Sequence, residues 1–237
     1  MEPVAAAPLW FSRQALQAVD QRAETEYGLC VQVLMENAGR NLAEVTRAYC
    51  HAGSRILVLA GGGNNGGDGL VAARHLANIG HPVEVILLTP GQQIVGSPAG
   101  QLHTIRRMAM VVHETAAMNH LESWLEKSHV DDAIIDAIFG TGLKRPVTGD
   151  IAHAIARVND SGRRVISADI PSGLDCDTGQ PLGIAVRAAH TVSFCGMKIG
   201  FAKAAAIGYV GQCSIGDIGV PRRLLEELAV DATGLSD

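Results

Sequence analysis

The segment Arg55-Ile-Leu-Val-Leu-Ala60 is an unbroken aliphatic run that ends in Gly61-Gly-Gly-Asn-Asn-Gly-Gly-Asp-Gly69. A run of that length with no polar alternation predicts a strand buried on both faces, and such strands belong to parallel sheets covered by helices. The same punctuation recurs along the chain. Further strands are expected at Val83–Leu88, Met110–His113, Ala133–Ile138, Arg164–Ala168, Thr191–Phe194 and Cys213–Ile215. Helices are expected at Gly69–Ile79, Gly100–Met108, His120–Lys127, Ile151–Asn159 and after Pro221, with Thr89–Gly100 as a Gly/Pro-containing loop. Two helical stripes precede the first strand. One runs through Ala15, Leu16, Val19 and Ala23 behind a Ser12 cap, the other through Val33, Leu34, Ala38, Leu42, Val45 and Ala48. Strand, loop and helix in repeated order imply right-handed βαβ crossovers. The expectation is one doubly wound α/β domain over residues 1–237, with a mostly parallel sheet and an N-terminal helical extension.

Composition narrows the function classes. Hydrophobic residues make up 47% but aromatics only 4%, so Ala, Val, Leu and Ile must fill the core. A formal charge of -5 argues against broad nucleic-acid binding, which needs basic surface. No basic n-region follows Met1, and no apolar run reaches membrane-spanning length, so neither a leader nor a membrane partner is expected. Five widely spaced cysteines without a CxxC pair suggest neither a disulfide framework nor a zinc site, and fit a reducing cytoplasm.

In doubly wound sheets, ligands bind beyond the carboxyl ends of the strands. The loops after the apolar runs are therefore the candidate site. In the first, Gly61, Gly63 and Gly66 match G-x-G-x-x-G, and Glu84 in the next strand stands about where a ribose-binding acid belongs. An NAD-dependent oxidoreductase is the conventional reading. Against it, Asp68 at the helix entrance would repel a pyrophosphate. Asn64 and Asn65 also offer amides where such a loop asks only for backbone. Paired amides beside a carboxylate suit a cation and hydroxyls. The bland alternative is that Asp68 caps the helix and the asparagines occupy left-handed turns.

The second loop is Asp136-Ala-Ile-Phe-Gly-Thr-Gly-Leu-Lys-Arg-Pro146. Asp136 sits in an apolar stretch, where a carboxylate is costly unless it meets a cation or several donors. Lys144 and Arg145 are placed to meet phosphate or simply to be a solvated turn. The third is Asp169-Ile-Pro-Ser172-Gly173-Leu-Asp175, again an acid closing an apolar strand. If the two strands are close in the sheet, the acids converge on one crevice and suit shared cation ligation or acid/base work by one of them; the bland alternative is two unrelated turn aspartates. Lys198 could reach an anion from a strand end, but a lone Lys is more often surface.

Together, Leu34-Met-Glu-Asn-Ala-Gly-Arg40, Asn64-Asn-Gly-Gly-Asp-Gly69, Asp136-Ala-Ile-Phe-Gly-Thr-Gly, Asp169-Ile-Pro-Ser-Gly-Leu-Asp175 and Lys198-Ile-Gly200 resemble the NAD(P)H-hydrate epimerase family, also called the YjeF N-terminal domain family. The resemblance spans about residues 12–221. It implies a Rossmann-like three-layer αβα sandwich and interconversion of the R and S epimers of hydrated NADH or NADPH. It also implies a potassium ion held by Asn65, Asp136 and Ser172. Substrate would contact Asn64, Asn65, Gly66, Gly67, Asp68, Gly140, Thr141, Gly142, Leu143, Lys144, Arg145, Pro146 and Asp169. Asp169 is the expected acid/base, since desolvation at a buried strand end favours the protonated form and a neighbouring cation opposes it. Many members carry Pro or His at the middle of the run that is Gly61-Gly62-Gly63 here. The resemblance favours a homodimer, in which the N-terminal helices either contact the partner or pack on the sheet. It also raises fusion to a carbohydrate-kinase-like dehydratase, of which the tail Ala232–Asp237 shows no trace.

Overall fold

The computed structural model describes residues 7–114 and 116–231, so the tail discussed above lies outside the described residues. The chain begins with β1 (Trp10–Phe11), α1 (Arg13–Tyr27) and α2 (Val31–Ala48). There follow β2 (Ile56–Ala60), α3 (Asn64–Asn78), β3 (Val83–Leu87), α4 (Gly96–Arg107), β4 (Val111–His113) and α5 (Ala117–Lys127). The second half holds β5 (Ala133–Ala137), α6 (Gly149–Asp160), β6 (Arg164–Ala168), β7 (His190–Phe194), β8 (Met197–Lys198), α7 (Ile207–Val210), β9 (Gln212–Gly216) and α8 (Arg222–Leu228).

Seven strands form one sheet in the order β4-β3-β2-β5-β6-β7-β9, every neighbouring pair parallel. Chain direction along the sheet reverses between β2 and β5, so the switch-point crevice opens beyond the ends of those two strands. Both strands are buried throughout, as their apolar runs, broken only by Asp136, require. Alternate side chains serve opposite faces. Val58, Ile135 and Ile166 meet Leu42 of α2, Leu70 and Leu76 of α3 and Leu102 of α4 in one core. Leu57, Leu59, Ile134 and Val165 meet Leu121 and Trp124 of α5 and Ile155 and Val158 of α6 in the other. The three-layer αβα expectation is met. Each such aliphatic side chain contributes about 1.5–3 kcal/mol when fully buried.

The Ser12 cap is where expected, its hydroxyl accepting from Ala15 N at 3.1 Å. Of the N-terminal helices, α1 packs on α8, and α2 lies against β6, β7 and β9 and directly on α3. Gly39 makes that approach possible, because a Cβ there would stand 2.4 Å from Val71. Asn37 donates to Ile218 O at 2.9 Å, and Glu36 holds Arg74 and, at 2.8 Å, His75. The Leu34–Arg40 segment is thereby a helix-docking element.

Three local expectations are corrected. Helix α3 starts at Asn64, not Gly69, because Gly63–Gly67 already form its first hydrogen-bonded turn, Gly67 N donating to Gly63 O at 3.1 Å. Most of Thr89–Gly100 is helical, with a 3-10 turn at Gly91–Gln93 and α4 beginning at Gly96. Val33 is 47% exposed, and Met35 and Ala43 take the core-facing positions of α2 instead. The short parallel pair of β1 and β8, with Phe11 in register with Lys198, has too little apolar sequence to signal itself.

Candidate active site

A cavity of about 610 Å³ opens beyond the carboxyl ends of β2, β5, β6 and β7. Asn64, Asn65, Asp68, Gly140, Thr141, Gly142, Leu143, Lys144, Arg145 and Asp169 all line it, as expected of them. Gly66, Gly67 and Pro146 do not. Gly66 faces the strand it follows, where a Cβ would meet Gly61 O at 2.0 Å, and Gly67 abuts Met35. These two glycines let α3 begin tight against β2, so the backbone of its first turn reaches the cavity. A Cβ at Gly62, the middle of the glycine run, would meet only the Thr89 side chain, at 2.9 Å.

Asp169 follows β6 with φ 63, in the left-handed region. Asp tolerates that region better than most residues, though still at a cost. The conformation is held by Asp169 N donating to Val192 O at 2.8 Å and Ile170 N to Ala168 O at 2.7 Å. Its Oδ1 accepts from Lys198 Nζ and, at 3.1 Å, from Phe194 N. Lys198 is wholly buried, and its ammonium also donates to Ser193 Oγ at 2.9 Å and Phe194 O at 3.0 Å. Lys198 is therefore no surface lysine. The β1–β8 pairing places it under the site, with its ammonium hydrogen-bonded to Asp169, Ser193 and Phe194. Asp169 Oδ2 receives no donor among the described residues, which leaves one carboxylate oxygen free in a residue that lines the cavity.

Two register positions deeper, Asp136 is fully buried in β5, opposite Leu59 on β2 and Ser167 on β6. Its cost is met by donors: Ser167 Oγ at 2.7 Å and Ser172 N at 2.8 Å on Oδ2, and Ile138 N at 3.4 Å on Oδ1. Burial still pushes its pKa up against those hydrogen bonds. Ser172 Oγ accepts from Phe139 N at 2.9 Å, and Asn65 Nδ2 donates to Phe139 O at 3.0 Å. Asn65 Oδ1, by contrast, is buried with no hydrogen-bond partner. An orphaned buried acceptor, linked through Phe139 and Ser172 to a buried carboxyl group, is a polar site whose oxygens suit a hard cation.

Asp68 is the fifth residue of α3, buried, and neither caps the helix nor carries charge to its mouth; the N-cap is Gly63, without a side chain. Burial lifts its pKa well above the usual carboxylate range, reinforced by Asp169 and Asp20. The expected repulsion of an anion is thus weak, because the neutral form is favoured. The asparagines are helical rather than left-handed. Lys144 and Arg145 are exposed on the cavity rim and make no ion pair among the described residues. Glu84 does not serve the site. It is the second residue of β3, at the opposite end of the sheet, held by Arg55 at 2.7 Å and His113 at 3.2 Å. The ribose-binding acid of an ordinary dinucleotide oxidoreductase is therefore missing from its place.

Two participants escaped sequence reasoning. Arg13, at the start of α1, donates from Nε to Thr141 O at 2.7 Å and from Nη2 to Asp175 Oδ2 at 2.6 Å. Its own N–H donates to Asp177 Oδ1 at 2.7 Å. One guanidinium thus ties α1 to both the loop after β5 and the segment after β6. Asp20, on α1, lines the cavity together with Leu16 and Gln17. The only sequence signal was an acid beside the apolar stripe of an amphipathic helix, which is too common to single out.

Comparison with known proteins agrees with this geometry. The chain is 38% identical over 212 residues to the bifunctional NAD(P)H-hydrate repair enzyme Nnr of Thermofilum pendens, an alignment covering 90% of this chain and 40% of that protein. It is 36% identical to the NAD(P)H-hydrate epimerase of Pirellula staleyi, covering 92% of this chain and 96% of that one. The chain thus spans about 40% of the length of the bifunctional relatives it matches. The yeast protein ynu0 superimposes with a TM-score of 0.77 at 26% identity, covering 93% of each chain. Residues 31–200 match the family described as YjeF-related protein N-terminus, which takes in α2, the glycine turn and every element that lines the cavity except α1 and the segment at Ile218. The chain belongs to the YjeF-related N-terminal family.

Proposed function

We propose that this chain interconverts the R and S epimers of hydrated NADH and NADPH. The observation that carries the reading is Asp169: a strained, immobilised carboxylate with one oxygen tied to Lys198 and the other free in a large switch-point cavity. Relatives covering most of this chain bear the name NAD(P)H-hydrate epimerase, which supports the same chemistry.

In the hydrate, C6 of the nicotinamide ring carries a hydroxyl and the ring nitrogen. Protonating that hydroxyl lets the nitrogen lone pair expel water and form a planar iminium. Water then adds to either face and gives up a proton. No redox change occurs, so the site needs proton transfer and positioning rather than a hydride acceptor. Asp169 is the acid/base of this scheme, with free Oδ2 as the transferring atom. Lys144 and Arg145, unpaired on the rim, suit the phosphates of the dinucleotide. The bare N–H groups of the first turn of α3 suit the same anion.

Potassium belongs to the same proposal. Asn65 Oδ1, the Asp136 carboxylate and Ser172 Oγ would hold it, and the orphaned Asn65 acceptor is the reason to expect a cation there. A bound ion of this kind would supply local positive charge and order the loops, without itself donating or accepting protons. A homodimer and a cytoplasmic setting complete the proposal, and light scattering of the purified chain tests the first.

The deciding experiment is chiral chromatography of separated hydrate epimers with and without the protein. Re-equilibration far faster than in buffer is expected. Re-equilibration at the buffer rate overturns the reading.

A further inference from the structure

Acid/base work by a single carboxylate leaves a gap. Epimerisation needs a proton delivered to the departing hydroxyl and another removed from the incoming water. Asp169, clamped by an ammonium and a backbone N–H, is arranged to accept. Two further carboxyl groups line the cavity, those of Asp20 and Asp68. Asp20 comes from α1, whose rotation is locked by buried Leu16, Val19 and Ala23, with Asp20 one turn above Leu16 on the cavity side. Like Asp68, it has no hydrogen bond or ion pair among the described residues, whereas Asp136, Asp169 and Asp175 are each held by donors. Asp68, the alternative, is buried and less accessible.

Resting on the epimerase reading, we infer that Asp20 is a second proton-transferring residue, donating to the leaving hydroxyl while Asp169 accepts from the incoming water. The transfers balance. The Asp20 carboxylic acid gives its proton to the C6 hydroxyl, the C–O bond breaks with its electron pair on departing water, and the nitrogen lone pair forms the C=N bond. A new water donates its oxygen pair to C6, the C=N pair returns to nitrogen, and the proton passes to Asp169. Proton exchange through water in the open cavity resets the pair, and the return epimerisation runs the same transfers backward.

The surroundings of Asp20 favour the donor form. Asp20 is an exposed residue of α1 that lines the concavity, where neighbouring protein displaces part of its carboxyl's water. This desolvation, then repulsion by Asp169, raises its pKa to about 6 against the pull of Lys198. The groups that face it are Asp169 beyond β6, Lys198 on β8, Asp68 on α3 and Cys195 between β7 and β8. The thiol, pushed up to about 12 mainly by burial, is neutral.

The test compares wild type, Asp20→Asn and Asp20→Glu on separated epimers across pH 5–9. Asp20→Asn should lower kcat on the order of 10²-fold with KM within about threefold, since only proton donation is removed. Asp20→Glu should recover part of the loss. The wild-type decline in kcat/KM as pH rises through about 6 should disappear in Asp20→Asn. Carboxyl NMR should show Asp20 titrating well above ordinary aspartates and moving down in Asp169→Asn. An active wild type whose Asp20→Asn form keeps kcat and pH profile overturns this inference alone, as does an ordinary Asp20 titration. A wild type that does not epimerise overturns the function reading and this inference with it.

Discussion

At the amino ends of the strands, charges come in satisfied sets. Arg55 binds Glu84 at 2.7 Å and gives its N–H to Asp132 at 2.8 Å, while Asp132 also takes His129 N at 2.8 Å. Hydrogen bonds from Arg55 and His113 outweigh burial and hold Glu84 below the usual carboxylate range. At the carboxyl ends, Asp20, Asp68 and Asp136 are pushed upward by burial, Lys198 is spent on Asp169, and Asn65 Oδ1 has no partner. The residue types are alike; the balance of partners is opposite. Charge that is fully paired stabilises a fold, whereas charge left short of partners costs stability and persists where a ligand completes it.

The sharpest break of that contrast is Asp169→Asn. It keeps the shape and removes the proposed acid/base, so kcat should fall about 10³-fold, and Tm should fall as well because buried Lys198 loses its counter-charge. Epimer exchange followed by chromatography measures it, and retention of wild-type kcat would show that the strained carboxylate is only structural. Next is exchange of potassium for a bulky organic cation, expected to cost about 10–100-fold in activity and to lower Tm, read by the same assay and by calorimetry. Asp136→Asn should abolish this ion dependence.

Arg13→Ala tests whether α1 belongs to the site. Freeing Thr141 and Asp175 should raise KM several-fold and cost about 2 kcal/mol in chemical denaturation. It should also alter the acid limb of stability. Asp175 is raised by burial but brought down to about 2 by Arg13, Thr178 and Asp177. A depressed carboxylate contributes stability that is present above its unfolded pKa near 4 and lost as pH falls toward 2. That loss should shrink in Arg13→Ala. Arg55→Ala, at the satisfied end, should cost only about 1 kcal/mol and leave kcat and KM unchanged.

The smallest effect is in the pH dependence of folding. Raised carboxyls such as Asp20 bind protons more tightly when folded, so their contribution declines as pH rises from about 4 toward 6. Glu84 acts in the opposite sense, its contribution fading as pH falls. Asp20→Asn should flatten the first slope, and Glu84→Gln the second, in Tm measured from pH 3 to 8.

Local pattern carried much of this. The apolar runs at Ile56–Ala60 and Ala133–Ala137 announced doubly covered strands, and acids placed in or just after such runs marked Asp136 and Asp169. The beginning of α3 was misplaced because Asn64-Asn-Gly-Gly has low helix propensity, and its first turn forms only where Gly66 lies against Gly61 O. Lys198 resembled a surface residue since its burial depends on a two-residue strand pairing with Phe11, almost 190 positions away.

Sequence alone determined the layers, the parallel strand run, the glycine turn and the two strand-end acids, because each follows from periodicity and short-range sterics. Tertiary structure decided which charges share a cavity and which have partners. Arg13, Asp20 and Lys198 lie far from Asp169 along the chain, and their effect on it is set by distance, burial and hydrogen bonding, none of which local pattern records.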